Sequence, residues 1–132
     1  MNQTTIEQWH SVVQSHDLSG LDELLAEDAV FVSPVVHTAQ RGKTITKAYL
    51  SAAFVVFFNP SFRYVREIVG PSDAMLEFET EIDGILVNGV DIIKWNVAGK
   101  IVEFKVMVRP LKAITVIHER MAKMLSSSKL PQ

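Results

Sequence analysis

The sequence predicts an α+β domain in which a strongly curved antiparallel sheet folds over helices. Three observations carry that expectation. Apolar residues recur at helical spacing through most of the first half. The stretch "AMLEFETEI" at 74–82 alternates between two faces without a break. The order is two helices, a strand, a helix and then about four long antiparallel strands, which segregates helices from sheet. A length of 132 residues suits one domain spanning 1–132, large enough for a real core.

The elements follow in order. "TTIEQWHSVVQSHD" places Ile6, Trp9, Val12 and Val13 at helical spacing, with Thr4 or Thr5 available as the cap. "DLSGLDELLAED" predicts a second helix, with Asp17 as N-cap and Leu18, Leu21, Leu24 and Leu25 on one face. "AVFVSP" switches to a short β-branched strand that Pro34 ends. A loop follows, and Gly42 opens a third helix, "KTITKAYLSAAFVVF", which Asn59-Pro60 stops. "FRYVREIVG" is read as a strand and "GPSD" at 70–73 as a turn. In 74–82, Ala74, Leu76, Phe78, Thr80 and Ile82 share one face, and Met75, Glu77, Glu79 and Glu81 the other. Asp83-Gly84 fits a hairpin turn, and Asn88-Gly89 reads as a bulge within a longer strand. "VDIIKWNV", the turn "AGK" and "IVEFKVMVRP" form a further antiparallel pair. An amphipathic helix, "ITVIHERMAKML", then leads to a polar tail expected to be loose from about residue 126.

Composition narrows the function. Hydrophobic residues at 48% and charged residues at 21% make an ordinary globular balance, so disorder is not expected. Net charge is −2 and the 13 basic residues are scattered, which argues against nucleic acid or an anionic membrane as partner. The chain has no cysteine, excluding disulfides, thiolate metal sites and cysteine nucleophiles. "MNQTTIEQWH" lacks the basic and apolar regions of a signal peptide, and the longest apolar run, "AAFVVFF" at 52–58, is too short to span a bilayer. A cytoplasmic location is the expectation. No glycine-rich phosphate loop, GxSxG elbow or HExxH motif occurs, and neither a cofactor nor a metal is expected.

Strand parity gives a candidate site. A curved sheet over helices makes a cone whose mouth suits a small ligand. In "VDIIKW", Asp91 shares the inward face with Ile93 and Trp95, while Val90, Ile92 and Lys94 point outward. Phe104, Val106 and Val108 face inward from the last strand; Glu103, Lys105, Met107 and Arg109 face outward. Asp91 is therefore expected among Leu76, Phe78, Trp95, Phe104 and Val106. Trp9, Phe31, Tyr49, Phe54, Phe57 and Phe58 supply further wall. A carboxylate in that setting must be hydrogen-bonded, paired or protonated, and burial raises its pKa. Two roles stay open: a hydrogen-bond donor to a ligand oxygen, or a fixture holding the cone together.

Other polar residues have weaker claims. His37, in the "SPVVHTAQRG" loop expected across the mouth, is the best candidate for a second acid or base; the alternative is a surface histidine. Ser33 lies at the start of the same loop. His10 belongs at the pocket rim or in solvent, and its spacing from His16 does not fit a helical metal pair. His118 is assigned to the polar face of the last helix. Arg41 either neutralises a ligand carboxylate or steadies the loop. Arg63 and Arg66 are expected to pair with Glu67 or outer-face acids. The outer faces pool acids with Lys94, Lys105 and Arg109, which suits a solvated face or a homodimer formed sheet to sheet.

The order of elements, with "DLSGLDELLAEDAVFVSPV", "RGKTITKAYL" and "VDIIKWNVAGKIVEFKVMVRP", resembles the SnoaL-like branch of the nuclear transport factor 2-like (NTF2-like) superfamily over roughly residues 3 to 112. The resemblance implies a cone-shaped fold: a curved antiparallel sheet around three N-terminal helices, with a C-terminal helix. It also implies a range of activities, among them ketosteroid isomerases, polyketide cyclases, dehydratases and hydrolases, and non-catalytic binding modules. Ketosteroid isomerases use an Asp base with a Tyr and a protonated Asp at the enolate oxygen. Carried over singly, the protonated Asp falls on Asp91, the Tyr on Trp9 and the base on Ser33. Ser33 is no base near neutral pH without an activating partner, so that mechanism is not expected here. The expected function is binding of a small apolar, carbonyl-containing ligand, with proton-transfer chemistry of isomerase, cyclase or dehydratase type at Asp91, assisted by His37 and Ser33. The alternative is a non-catalytic binding or dimerisation module, or a helper subunit of an oxygenase.

Overall fold

The computed structural model describes residues 4–127. Helix α1 (Thr5–Ser15) starts at a capping box: the Thr4 hydroxyl accepts the Glu7 N–H at 3.1 Å, and the Glu7 carboxylate accepts the Thr4 N–H at 3.4 Å. It ends at His16 in the left-handed region, φ 56°. Helix α2 (Gly20–Leu24) is shorter than expected. Asp17 does not cap it; its carboxylate accepts the Ser19 N–H and hydroxyl and shapes the turn ahead of the helix. Leu25 belongs to strand β1 (Leu25–Val32), which begins well before the predicted "AVFVSP" because Leu25 already pairs with Ile101.

The loop after β1 contains a short strand that periodicity did not reveal, β2 (Gln40–Arg41), paired with Val30 and Phe31. Helix α3 (Lys43–Phe57) covers the predicted segment, and Gly42 before it takes φ 112°, a conformation that favours glycine. Four long strands follow: β3 (Arg63–Val69), β4 (Asp73–Ile82), β5 (Ile85–Trp95) and β6 (Ile101–Arg109), and then helix α4 (Leu111–Ser127). The loose tail expected from about 126 is helical at 126–127, and 128–132 lie outside the described residues.

The six strands form one curved, unclosed sheet in the order β2-β1-β6-β5-β4-β3. All pairings are antiparallel except β1 with β6, which is parallel. The architecture is the predicted α+β cone. Trp9 of α1, Leu21 and Leu24 of α2, and Leu50, Phe54 and Phe57 of α3 bury into one core with the inward residues of β4, β5 and β6. Alternation in β4 holds throughout: Ala74, Leu76, Phe78, Thr80 and Ile82 are all buried. The β4–β5 hairpin turns at Asp83 (φ 52°) and Gly84 (φ 78°), and the Asp83 carboxylate is tied to the Arg120 guanidinium of α4.

The expected bulge at Asn88-Gly89 is not there. Register runs unbroken from Asp73–Lys94 to Ile82–Ile85. Gly89 serves a different purpose, because a Cβ there would lie 2.4 Å from the Phe78 ring and 2.8 Å from the Met107 carbonyl. The bulge falls instead in β3, where Tyr64 pairs with Phe78 and Arg66 with Glu77, leaving Val65 unmatched. That extra residue decides which way Tyr64 points.

On the outer face, rows run across the strands: Ile68, Met75, Ile92 and Lys105, then Arg66, Glu77, Val90 and Met107. Arg63 pairs with Glu79 at 2.6 Å and Arg66 with Glu77 at 3.4 Å, as expected of outer-face acids. Among the described residues no helix is long and apolar enough to cross a membrane.

Candidate functional site

Three elements converge on one carboxyl. Strand β5 carries Asp91 on its inward face, flanked in register by Leu76 of β4 and Val106 of β6. The bulge in β3 turns Tyr64 inward, and α1 brings Trp9 alongside. The Trp9 Nε1–H donates to the Tyr64 hydroxyl oxygen at 2.9 Å, and the Tyr64 hydroxyl donates to Asp91 Oδ2 at 2.7 Å. The chain of donors therefore ends on a carboxylate oxygen.

The other oxygen, Oδ1, accepts no hydrogen bond from the described residues. Fully covered side-chain polar atoms among those residues all have partners, so Oδ1 is not fully covered. It opens on a cavity lined by Trp9, Leu50, Ala53, Val106, Asp91 and all seven phenylalanines of the chain. The cavity measures about 30 Å³, room for about one or two waters. The cavity comes nearest the surface at Phe58 and Phe62, the two lining rings among the described residues that are not fully buried, packed edge to face at 4.4 Å.

Electrostatics follow from the burial. Asp91 is 5% exposed, and loss of water pushes its pKa up to about 7, while the Tyr64 hydrogen bond pulls the other way. Tyr64 is raised well above its ordinary value, first by burial and then by the neighbouring Asp91 charge. A carboxyl poised near neutrality with one oxygen held and one open can give or take a proton at the open one.

The expected site residues are only partly brought together. Trp9, Phe31, Phe54, Phe57, Phe58, Phe78, Phe104 and Val106 line the cavity with Asp91. Ser33 does not; its hydroxyl accepts the N–H groups of Val35 and Val36 and shapes its own loop. His37 is exposed on that loop and does not line the cavity. Tyr49 stacks on the far side of the wall against Phe31, ring centroids 5.3 Å apart. Leu76 is buried beneath the wall, and Val108 packs half-buried against the core as its inward parity predicts but does not line the cavity. Trp95 follows a register shift after Lys94 and lines a separate open cleft of about 890 Å³ beside Thr5 and Gly99, where Glu23 is the one titratable group.

His10 is at the rim: its ring meets Tyr64 edge-on at 5.4 Å, and its Nε2 pairs with the Glu67 carboxylate. Arg41 is exposed in β2, and His118 is exposed on α4. Among the described residues no group of three or more His, Cys, Asp or Glu could hold a metal ion. Sequence reasoning missed Tyr64, Phe62, Leu50 and Ala53. Strict alternation puts Tyr64 on the face of Arg66 and Ile68, and only the unmatched Val65 reverses that.

A family model described as the SnoaL-like domain matches residues 6–104. The chain belongs to the SnoaL-like family. Among solved structures, a steroid delta-isomerase from Pseudomonas aeruginosa is 34% identical over 94% of this chain and 90% of its own, with a TM-score of 0.89. A bacterial protein with a cystatin-like fold from Silicibacter pomeroyi is 32% identical over 92% and 85%, with a TM-score of 0.85. A SnoaL-like polyketide cyclase candidate from Jannaschia sp. CCS1 shares the fold at 12% identity, covering 89% and 96% with a TM-score of 0.67. A search of curated proteins returned no significant match. The SnoaL-like cone of this chain thus recurs in a steroid delta-isomerase at 34% identity, and the polyketide cyclase candidate shares the fold alone.

Proposed function

We propose that this SnoaL-like protein binds a small, largely apolar molecule bearing a carbonyl or enol oxygen and moves a proton at that group through Asp91. One observation carries the reading: among the described residues, the one carboxyl lining the aromatic cavity is buried, poised near pH 7 and open at Oδ1. As the neutral acid, Asp91 donates from Oδ1 to a ligand oxygen while Oδ2 still accepts from Tyr64. As the carboxylate, it takes a proton at the same atom.

The relative named a steroid delta-isomerase lends support to isomerase-type chemistry, but the division of labour differs. The resemblance puts the base of ketosteroid isomerases at Ser33, which is engaged with its loop. Acid and base steps then fall to Asp91 in turn, which suits isomerisation, dehydration or cyclisation needing one proton shuttle. The test uses a small probe. Wild-type protein in deuterium oxide should catalyse hydrogen exchange beside the carbonyl of 2-cyclohexen-1-one, and Asp91→Asn and Asp91→Ala should lose roughly 10²–10⁴-fold of that rate. Equal rates in all three proteins, or none in wild type, would remove the proton-transfer reading.

The small size of the cavity favours a second reading, a binding module that works as a homodimer. The outer face supports it: Ile68 is 60%, Met107 54% and Met75 43% exposed, framed by acids and bases that a second copy could match. Light scattering should then give twice the chain mass, falling to a monomer in Met107→Asp; a wild-type monomer at tens of micromolar refutes the dimer.

A further inference from the structure

The cavity has an anionic end with no cation to answer it. Among the described residues its walls contain no Lys, Arg or His, and the one hydrogen bond to the Asp91 carboxyl comes from the neutral Tyr64. Leu76 and Val106 flank Asp91 on the neighbouring strands, α1 contributes Trp9, and α3 contributes Leu50, Ala53, Phe54 and Phe57. The titratable groups on the far side of Tyr64 are His10 and Glu67, which pair with each other at the rim. An ionised Asp91 is thus a desolvated charge surrounded by aromatic rings.

Such a surrounding complements a cation twice. Ring faces attract a positive charge, more strongly where water is excluded. A carboxylate with one free oxygen accepts an N–H and recovers in an ion pair part of the solvation it lost on burial. We propose that the cavity binds hydrophobic ammonium ions, with the N–H on Asp91 Oδ1 and the alkyl or aryl body among the phenylalanines.

Entry is by the mouth. Phe58 and Phe62 stand at the two ends of a turn that Asn59 ties to the Glu81 carbonyl and Ser61 ties to the Glu81 N–H. A ligand larger than the closed volume requires those two rings to rotate, while the backbone between them stays pinned to β4. This proposal shares the cavity with the carbonyl reading but uses only the ionised state of Asp91, and it requires no chemistry.

Calorimetric titration with benzylammonium and its neutral counterpart benzyl alcohol tests the proposal, in wild type, Asp91→Asn and Phe62→Ala. At pH 8 benzylammonium should bind wild type at least tenfold tighter than benzyl alcohol, and its affinity should rise from pH 6 to pH 8. Asp91→Asn keeps an acceptor for Tyr64 and should abolish the preference. Phe62→Ala widens the mouth and should strengthen both ligands while keeping the preference. Equal binding of the two ligands at pH 8, an intact preference in Asp91→Asn, or no binding to either wild type or Phe62→Ala overturns the proposal. The carbonyl reading fails on different data, the exchange rates with cyclohexenone, so each can fall alone.

Discussion

Strands β4 and β5 present two faces that both carry carboxyl groups, in opposite electrical situations. On the outer face, Glu77 and Glu79 meet Arg66 and Arg63 in solvent. On the inner face, a few ångströms through the sheet, Asp91 meets aromatic rings and a single tyrosine hydroxyl. The outer acids are plentiful, matched and screened, so each contributes little to the fold. The inner acid is solitary and desolvated, so its protonation is coupled to the stability of the whole domain. Counting charges would give the outer face more weight; burial gives it to Asp91.

The largest expected effect is therefore the pH dependence that Asp91 imposes. Its folded pKa, about 7, lies above the ordinary carboxylate value of 3.8. Between those values the folded state holds a proton that the unfolded state releases. The stabilising contribution is complete below about pH 4 and is lost as pH rises through about 7. At roughly 1.4 kcal/mol per unit, the loss approaches about 4 kcal/mol. Urea unfolding from pH 4.5 to 8.5 should show Asp91→Asn gaining on wild type across that window, and parallel curves would mean that Asp91 ionises as freely as a surface acid. In the same series Tyr64→Phe removes the donor that favours the carboxylate, so the wild-type midpoint should shift to higher pH. It also leaves the Trp9 N–H without its acceptor, a cost of about 1–3 kcal/mol.

How much of this could be read from the chain follows from where its periodicities hold. The sequence puts Asp91 inward because β5 keeps period two from Ile85 to Lys94, and β4 alternates so cleanly that its pattern names its five inward residues. The partner of Asp91 was not legible. "FRYVREIV" has charges at both parities, and one unmatched residue, Val65, turns Tyr64 away from Arg66. Nothing local in the sequence announces that bulge, since the signal is a pairing with β4 many residues later. Gly89 misled for a related reason: next to Asn88 it looks like a turn signal, yet it is small because the Phe78 ring lies over it. Ser33 and His37 stand out in the sequence only by their chemistry and loop position. Once the loop folds, the Ser33 hydroxyl satisfies two backbone N–H groups and His37 faces solvent. Leu25 shows tertiary pairing overriding helix propensity, because the hydrogen bonds of β6 recruit it into the sheet.

The smallest expected effect lies on the outer face and completes the comparison. Arg63 and Glu79 are 68% and 45% exposed at the side chain and 2.6 Å apart. A pair so wetted is screened and must hold two long side chains in one geometry, leaving about 0–1 kcal/mol. Glu79→Gln should therefore shift the urea midpoint only slightly, by the same amount at pH 5 and pH 8, and less again in high salt. A double-mutant cycle with Arg63→Met measures the pair itself. A coupling above about 2 kcal/mol, far beyond that of exposed pairs, would mean that the face is dry in solution. That is the condition a sheet-to-sheet dimer creates, so the cycle should be run above and below the concentration at which light scattering detects dimer. Coupling that grows with dimer population ties the outer charges to the interface, and coupling that stays small at both concentrations leaves Asp91 as the charge on these two strands whose surroundings matter.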